Sequence, residues 1–272
     1  MAPFVAQLGR PPVGVIEFAE NSDWTHMLNS IGWGLSCWSS TPYRIAQSVP
    51  MLMSTGTLAD GAQGAYDAQF VALGDLLVAK GYSDAYLRIG WEMNGDWYRW
   101  AAAQDPTNWK RYFQRIVLAM RSVKGQHFKI IWNPAIGQQQ IGSDQIYPGD
   151  DYVDVIGLDV YNQSWNPADT DPATRWANLV EQPYGLDWLK TFAGQHKKPI
   201  ALPEWGTGTR PDGHGFGDDP MFIDNMAIWI ADNNVVMQGY WDYNAGDYNA
   251  DFEEGPFPDA AAAYTNNFAV KP

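Results

Sequence analysis

Two glutamates, Glu92 and Glu204, each close an apolar run and are followed at once by aromatic and small polar residues. The first stretch reads Arg88-Ile89-Gly90-Trp91-Glu92-Met93-Asn94-Gly95-Asp96-Trp97-Tyr98-Arg99-Trp100, the second Lys198-Pro199-Ile200-Ala201-Leu202-Pro203-Glu204-Trp205-Gly206. Two carboxyl groups in such company suit the cleavage of a glycosidic bond. One, kept protonated, donates to the departing oxygen, and the other, ionised, attacks carbon or activates water. Indole faces match the C–H surfaces of sugar rings, while amides and carboxylates bond their hydroxyls.

Residues so far apart in sequence act together only if the fold converges on them. Eight short runs rich in Val, Ile, Leu or aromatic residues are expected as strands: 13–18, 34–39, 49–54, 85–92, 128–134, 153–162, 199–204 and 236–243. Between them, 23–31, 65–80, 106–123, 183–196 and 220–233 carry apolar residues at three- and four-residue intervals and are expected as helices, while 40–47 is either the second helix or a loop with a short turn. Asp105-Pro106 and Asp219-Pro220 are helix starts, an N-cap followed by Pro at the first helical position, and Lys80-Gly81 and Lys124-Gly125 are helix stops.

This alternation predicts an α/β fold, a (β/α)8 TIM barrel forming one domain over residues 1–272, with its chemistry at the C-terminal ends of the strands. An open doubly wound sheet would carry a Gly-rich turn after its first strand, and Val15-Ile16-Glu17-Phe18-Ala19-Glu20 has none. On a barrel the strand ends would gather Glu17, Trp38, Glu92, Trp132, Asn133, Asp159, Tyr161, Glu204, Trp205, Trp241 and Asp242 at one mouth. Trp97, Trp100 and Trp165 follow strand ends as further sugar platforms. The glycine-bearing stretch 206–219 reads as a flexible active-site loop rather than a phosphate cradle.

A formal net charge of −14, with 17 basic residues scattered along the chain, argues against nucleic acid or an anionic membrane as partner and fits a neutral polysaccharide. No apolar run reaches the roughly 18 residues that cross a bilayer. The expected protein is a monomer acting outside the cytoplasm, extracellular or periplasmic, with its leader not present in this sequence. Cys37 is the one cysteine and is expected as a buried thiol, and the four histidines form no metal-binding grouping, so no cofactor or metal is expected.

The stretch Trp91-Glu92-Met93-Asn94-Gly95-Asp96-Trp97-Tyr98-Arg99-Trp100 resembles the strand-four motif of glycoside hydrolase family 26, the β-mannanase family, which reads His-Glu-Met-Asn-Gly followed by Trp-Tyr/Phe-x-Trp. Ile131-Trp132-Asn133-Pro134, Gly157-Leu158-Asp159-Val160-Tyr161 and Pro203-Glu204-Trp205-Gly206 extend the similarity over strands four to seven. The resemblance implies a retaining barrel hydrolase with Glu92 as acid/base and Glu204 as nucleophile. It also implies that Tyr161 bonds the nucleophile, that Trp241 is a sugar platform, and that Arg88 keeps the nucleophile ionised. Trp91, Asn94 and Trp205 join the substrate contacts, and Asp159 is read as a supporting acid rather than a third catalyst. One departure stands out, because the family's histidine before the acid/base is Trp91 here, so the sugar stays open.

The reading is a retaining endo-β-glycanase acting on a mannan-type polysaccharide. Two alternatives stand beside it: the same chemistry on a β-glucan, xylan or bacterial exopolysaccharide, and a noncatalytic carbohydrate-binding barrel.

Overall fold

The computed structural model describes residues 2–269. In chain order these form α1 (Ala2–Leu8), β1 (Gly14–Phe18), α2 (Trp24–Trp38), β2 (Arg44–Val49), α3 (Leu58–Ala62), α4 (Asp67–Ala79), β3 (Tyr86–Ile89), α5 (Pro106–Arg121), β4 (Lys129–Trp132), β5 (Val155–Gly157), β6 (Val160–Asn162), α6 (Pro172–Glu181), α7 (Leu186–His196), β7 (Ile200–Thr207), α8 (Pro220–Asp232), β8 (Val235–Tyr240) and α9 (Pro258–Phe268).

The chain divides into two compact units. One runs from Val13 to Gly157 and takes in His196–Lys198; the other comprises residues 2–12, Leu158–Gln195 and 199–269. In the first, β1 to β5 pair in chain order, every pair parallel. Apolar side chains are buried on both faces of these strands, with Ile45, Leu87, Ile89, Ile130, Ile131 and Ile156 at 1% exposure or less. Helix α5 closes over this unit with a stripe of Trp109, Tyr112, Phe113, Ile116, Val117 and Met120, the three- and four-residue spacing of a helix with one buried face. Asp105 caps it by accepting from the Asn108 amide at 3.1 Å, and Pro106 takes the first helical position.

In the second unit β6 and β8 flank β7, again in parallel. All eight residues of β7 are buried, as expected of a strand packed on both faces. Helix α8 starts at the Asp219-Pro220 cap, where the Asp219 carboxylate accepts from the Phe222 amide at 3.2 Å.

Several expectations give way here. Residues 34–39, expected as a strand, are instead the last turns of α2 and its C-cap Ser39, because Met27, Ile31 and Leu35 continue one buried stripe at four-residue intervals. The second strand is Arg44–Val49, earlier than the 49–54 run, and covers much of 40–47, expected as a helix or a loop; Met51, Leu52 and Met53 are buried beyond its end. The run 153–162 is split into β5 and β6 at Leu158-Asp159. Cys37 lies on the outer side of α2 and is exposed, not buried. Helices α1, α3, α6 and α9 lay outside the expected set; α3, at five residues, is too short to show a period.

Candidate active site

Glu92 follows the end of β3, where the chain turns sharply. Gly90 and Glu92 both take left-handed backbone angles, φ +51° and +52°. A side chain at Gly90 would run into Met51, so glycine is needed there. At Glu92 the same conformation is strained for a residue with a Cβ, and such strain persists where surrounding contacts fix it, often at working sites. Those contacts are the Glu92 amide donating to the Asn133 carbonyl at 2.7 Å and the Gly95 amide donating back to the Glu92 carbonyl at 3.2 Å.

The Glu92 carboxylate is half-buried and accepts the Trp97 indole N–H at 2.8 Å. The Trp97 ring folds over Gly95, where any Cβ would collide with it, and half of its surface stays open to solvent, 50%. Beneath lies an aromatic block. Tyr98 stacks on Trp100 with centroids 4.5 Å apart, and Trp91 meets both rings. The Trp91 N–H donates to the Tyr98 hydroxyl at 2.9 Å, and the ring is only 4% exposed. Arg88, fully buried on β3, donates to the Ser48 hydroxyl at 3.2 Å and lies 5.4 Å from the Trp91 ring centroid.

In the other unit Glu204 lies on β7 at 7% exposure. The Tyr161 hydroxyl on β6 donates to its carboxylate at 2.7 Å, and its own amide donates to the Asp159 carboxylate at 3.2 Å. Tyr161 in turn packs against Tyr248 at 4.7 Å and meets Trp241 edge to face at 6.3 Å.

Beyond β7 the loop to α8 is tied down by a buried charge. Arg175 on α6 donates to Asp219 at 2.6 Å, and Asn162 donates to the same carboxylate at 3.0 Å and to the Thr207 hydroxyl at 2.9 Å. The Arg175 guanidinium lies 3.9 Å from the centroid of the Phe216 ring. Trp165, in the loop after β6 and 57% exposed, stacks on His214 of the β7–α8 loop at 5.1 Å, with Arg210 5.3 Å from its centroid. Arg210 also holds the Asp212 carboxyl down at about 2.

The expected substrate contacts therefore separate. Trp97 and Trp165 are exposed, and Tyr161 and Trp241 half-buried, so these four keep surfaces a ligand can reach. Asn94, Trp100, Trp132 and Trp205 have no exposed surface, which corrects their place in the list of contacts. Asn94 joins the turn after β3 to Ala135 by two bonds of 2.8 and 2.9 Å. Trp100 supports the Trp91 carbonyl at 2.9 Å, Trp132 packs edge-on against Tyr147, and the Trp205 N–H donates to Gln238 at 2.7 Å. Trp38 sits in the last turn of α2, not at a strand end, and its N–H donates to Glu17. Tyr98 and Tyr248 carry no sequence signal of their own: Tyr98 lies inside the 91–100 motif, and Tyr248 in an irregular stretch with no period.

A glutamate just past β3 and another within β7, each beside indole or phenol rings on a parallel α/β barrel, are the kind of arrangement found in the retaining glycoside hydrolases. The (β/α)8 fold is shared with solved structures, among them the Bacillus subtilis mannanase BCman, at a TM-score of 0.67 and 17% identity over 99% of this chain and 81% of that one. A Cellulomonas fimi endo-β-1,4-mannanase gives 0.65 and 22% over 90% and 59%. Residues 85–197 match the profile of glycosyl hydrolase family 26, to which this stretch of the chain is similar. A mannan endo-1,4-β-mannosidase of Bifidobacterium adolescentis is 31% identical over 149 residues, 52% of this chain and 14% of that protein. Endoglucanase H of Acetivibrio thermocellus is 32% identical over 224 residues, 75% of this chain and 22% of its own length. The chain thus spans less than a quarter of either relative.

Proposed function

We propose that the protein is a retaining endo-β-glycanase acting on mannan-type polysaccharide, with residues 1–272 serving as one catalytic domain. Glu92 donates its proton to the departing sugar oxygen while Glu204 attacks the anomeric carbon. Glu92 then takes a proton from water, which releases the sugar from Glu204. The observation that carries the reading is the Tyr161–Glu204 hydrogen bond of 2.7 Å, which fixes the orientation of the carboxylate on β7. Trp97 does the corresponding work at Glu92. Arg88 serves to keep the nucleophile ionised, and Trp97, Trp165, Tyr161 and Trp241 offer the sugar platforms. The reaction calls on no metal or cofactor.

A second substrate reading rests on Trp91. Its N–H is taken by Tyr98 and its ring is buried, so position 91 offers no polar group to a sugar. That favours a β-glucan, xylan or bacterial exopolysaccharide whose unit needs no contact there. Among the described residues no helix is long and apolar enough to cross a membrane. A monomer working outside the cell or in the periplasm completes the proposal, since polysaccharide of this kind is met there.

The test is hydrolysis of linear mannan, mixed-linkage glucan, xylan and bacterial exopolysaccharide by wild type, Glu92→Gln and Glu204→Gln. Cleavage of mannan by wild type alone supports the reading. Cleavage confined to another polymer replaces the substrate, and equal inactivity of all three proteins leaves a binding barrel.

A further inference from the structure

A cleft of about 580 Å³ opens beside Trp97, between the loop that follows β2 and the loop that follows β3. Thr57 and Leu58 contribute one wall, and Asp96, Trp97, Arg99 and Gln104 the other. Its volume falls within the roughly 300–1,000 Å³ of small-molecule sites. Glu92 is not part of the lining, yet Trp97 is, and Trp97 donates its N–H to the Glu92 carboxylate. One indole therefore separates the cleft from the carboxyl assigned to acid/base work.

The chemistry of the walls is that of a sugar subsite. Trp97 offers an exposed aromatic surface, and Thr57, Asp96, Arg99 and Gln104 offer a hydroxyl, a carboxylate, a guanidinium and an amide. Arg99 is exposed and makes one long bond, 3.4 Å to the Gly56 carbonyl, which leaves most of its five N–H groups for a ligand. Its positive charge is matched by Asp96 and Asp105, so the cleft as a whole does not select an anion. The residues nearest Glu92 in sequence, Trp91, Met93 and Asn94, are buried, whereas Trp97, exposed and bonded to the Glu92 carboxylate, also lines the cleft.

We propose that this cleft is a subsite for a neutral sugar branch carried by the polysaccharide backbone that lies along Glu92. The inference rests on the glycanase reading and goes beyond it: the substrate is a decorated polymer, and Trp97, shared by the two sites, aligns the branch with the bond to be cut. A backbone seated at Glu92 directs a side group across the indole, and the hydroxyls of that group meet Arg99, Asp96 and Gln104.

The test uses the inactive Glu204→Gln protein and calorimetric titration with linear β-1,4-linked mannopentaose and with the same pentaose bearing one α-galactosyl unit at each internal position in turn. One branched isomer is expected to bind at least about tenfold more tightly than the linear chain. Arg99→Ala and Gln104→Ala, both at exposed positions, are expected to remove that preference while changing linear binding less than about twofold. Equal affinity of all isomers for the parent protein overturns the proposal, and so does an equal loss on branched and linear ligands in the variants, which would make the cleft part of the backbone path. Wild-type hydrolysis of the linear polymer, measured in parallel, separates the two failures. Hydrolysis without a branch preference sinks this inference alone, and neither hydrolysis nor binding of any isomer sinks the glycanase reading with it.

Discussion

Glu92 and Glu204 are held by opposite means. Glu92 stands beyond its strand, in a strained left-handed conformation, half-buried and braced by an indole that is itself half open to solvent. Glu204 lies inside its strand, nearly buried, held by a phenol from the neighbouring strand and by its own amide on Asp159. A group that must give a proton and take one back gains from access and a yielding contact. A group that must attack one carbon gains from being immobile, since small displacements of a reacting atom are costly. The difference between the two settings matches the roles assigned to them.

The largest test of that contrast removes each carboxylate. Glu204→Gln is expected to lower kcat on the order of 10⁴-fold, about 5 kcal/mol in barrier, on every substrate. Glu92→Gln is expected to lower it roughly 10²- to 10⁴-fold on the polysaccharide but far less on an aryl glycoside whose leaving group needs no proton. Equal losses on both substrates would erase the distinction between the two settings.

The second test concerns what lies behind Glu204. Asp219→Ala strips the cap of α8 and leaves Arg175 without its buried partner, a loss of about 3–5 kcal/mol readable by denaturant unfolding. A variant as stable as wild type would show that the loop after β7 is not fixed by this charge.

A pair of side-chain truncations comes next. Tyr161→Phe and Trp97→Phe each remove one hydrogen bond to a carboxylate, worth about 1.5–3 kcal/mol when the acceptor is charged. Tyr161→Phe is expected to cost kcat roughly tenfold to a hundredfold. Trp97→Phe is expected to cost less, because an exposed ring is replaced in part by water.

The smallest effect is a pH dependence of stability. Burial raises the Asp242 pKa above 3.8, although the Phe252 amide, donating at 2.9 Å, opposes it. The folded protein therefore holds this proton more tightly than the unfolded chain does, and stability falls as pH rises from the unfolded pKa through the raised folded one. Asp242→Asn should flatten that fall in Tm, and an unchanged slope would assign it to another group.

The sequence made the chemistry legible sooner than the scaffold. The family-26-like motif at 91–100 and the Pro-Glu-Trp-Gly at 203–206 pointed to the carboxylates, and Gly157-Leu158-Asp159-Val160-Tyr161 to Tyr161, without any knowledge of packing. The helix caps at Asp105 and Asp219 were equally plain, because capping is a local matter of side chain and backbone. Gly34–Ser39 misled because a short apolar run looks alike in a strand and in the last turns of a buried helix. Asn94, Trp100, Trp132 and Trp205 misled for a related reason: residue type says that a tryptophan suits a sugar, and only packing decides whether its face reaches the surface. The Trp97 cleft could not be read at all, since its two walls come from loops some forty residues apart with no shared pattern.

The claim that Glu204 forms the covalent bond is tested most directly by trapping it. Wild type would be inactivated with a 2-deoxy-2-fluoro β-mannosyl donor bearing an activated leaving group, digested, and the labelled peptide sequenced by mass spectrometry. The account predicts one sugar per chain, carried by Glu204 and absent from Glu204→Gln. A label on any other carboxylate, or turnover of the polysaccharide with inversion at the anomeric carbon, would contradict it.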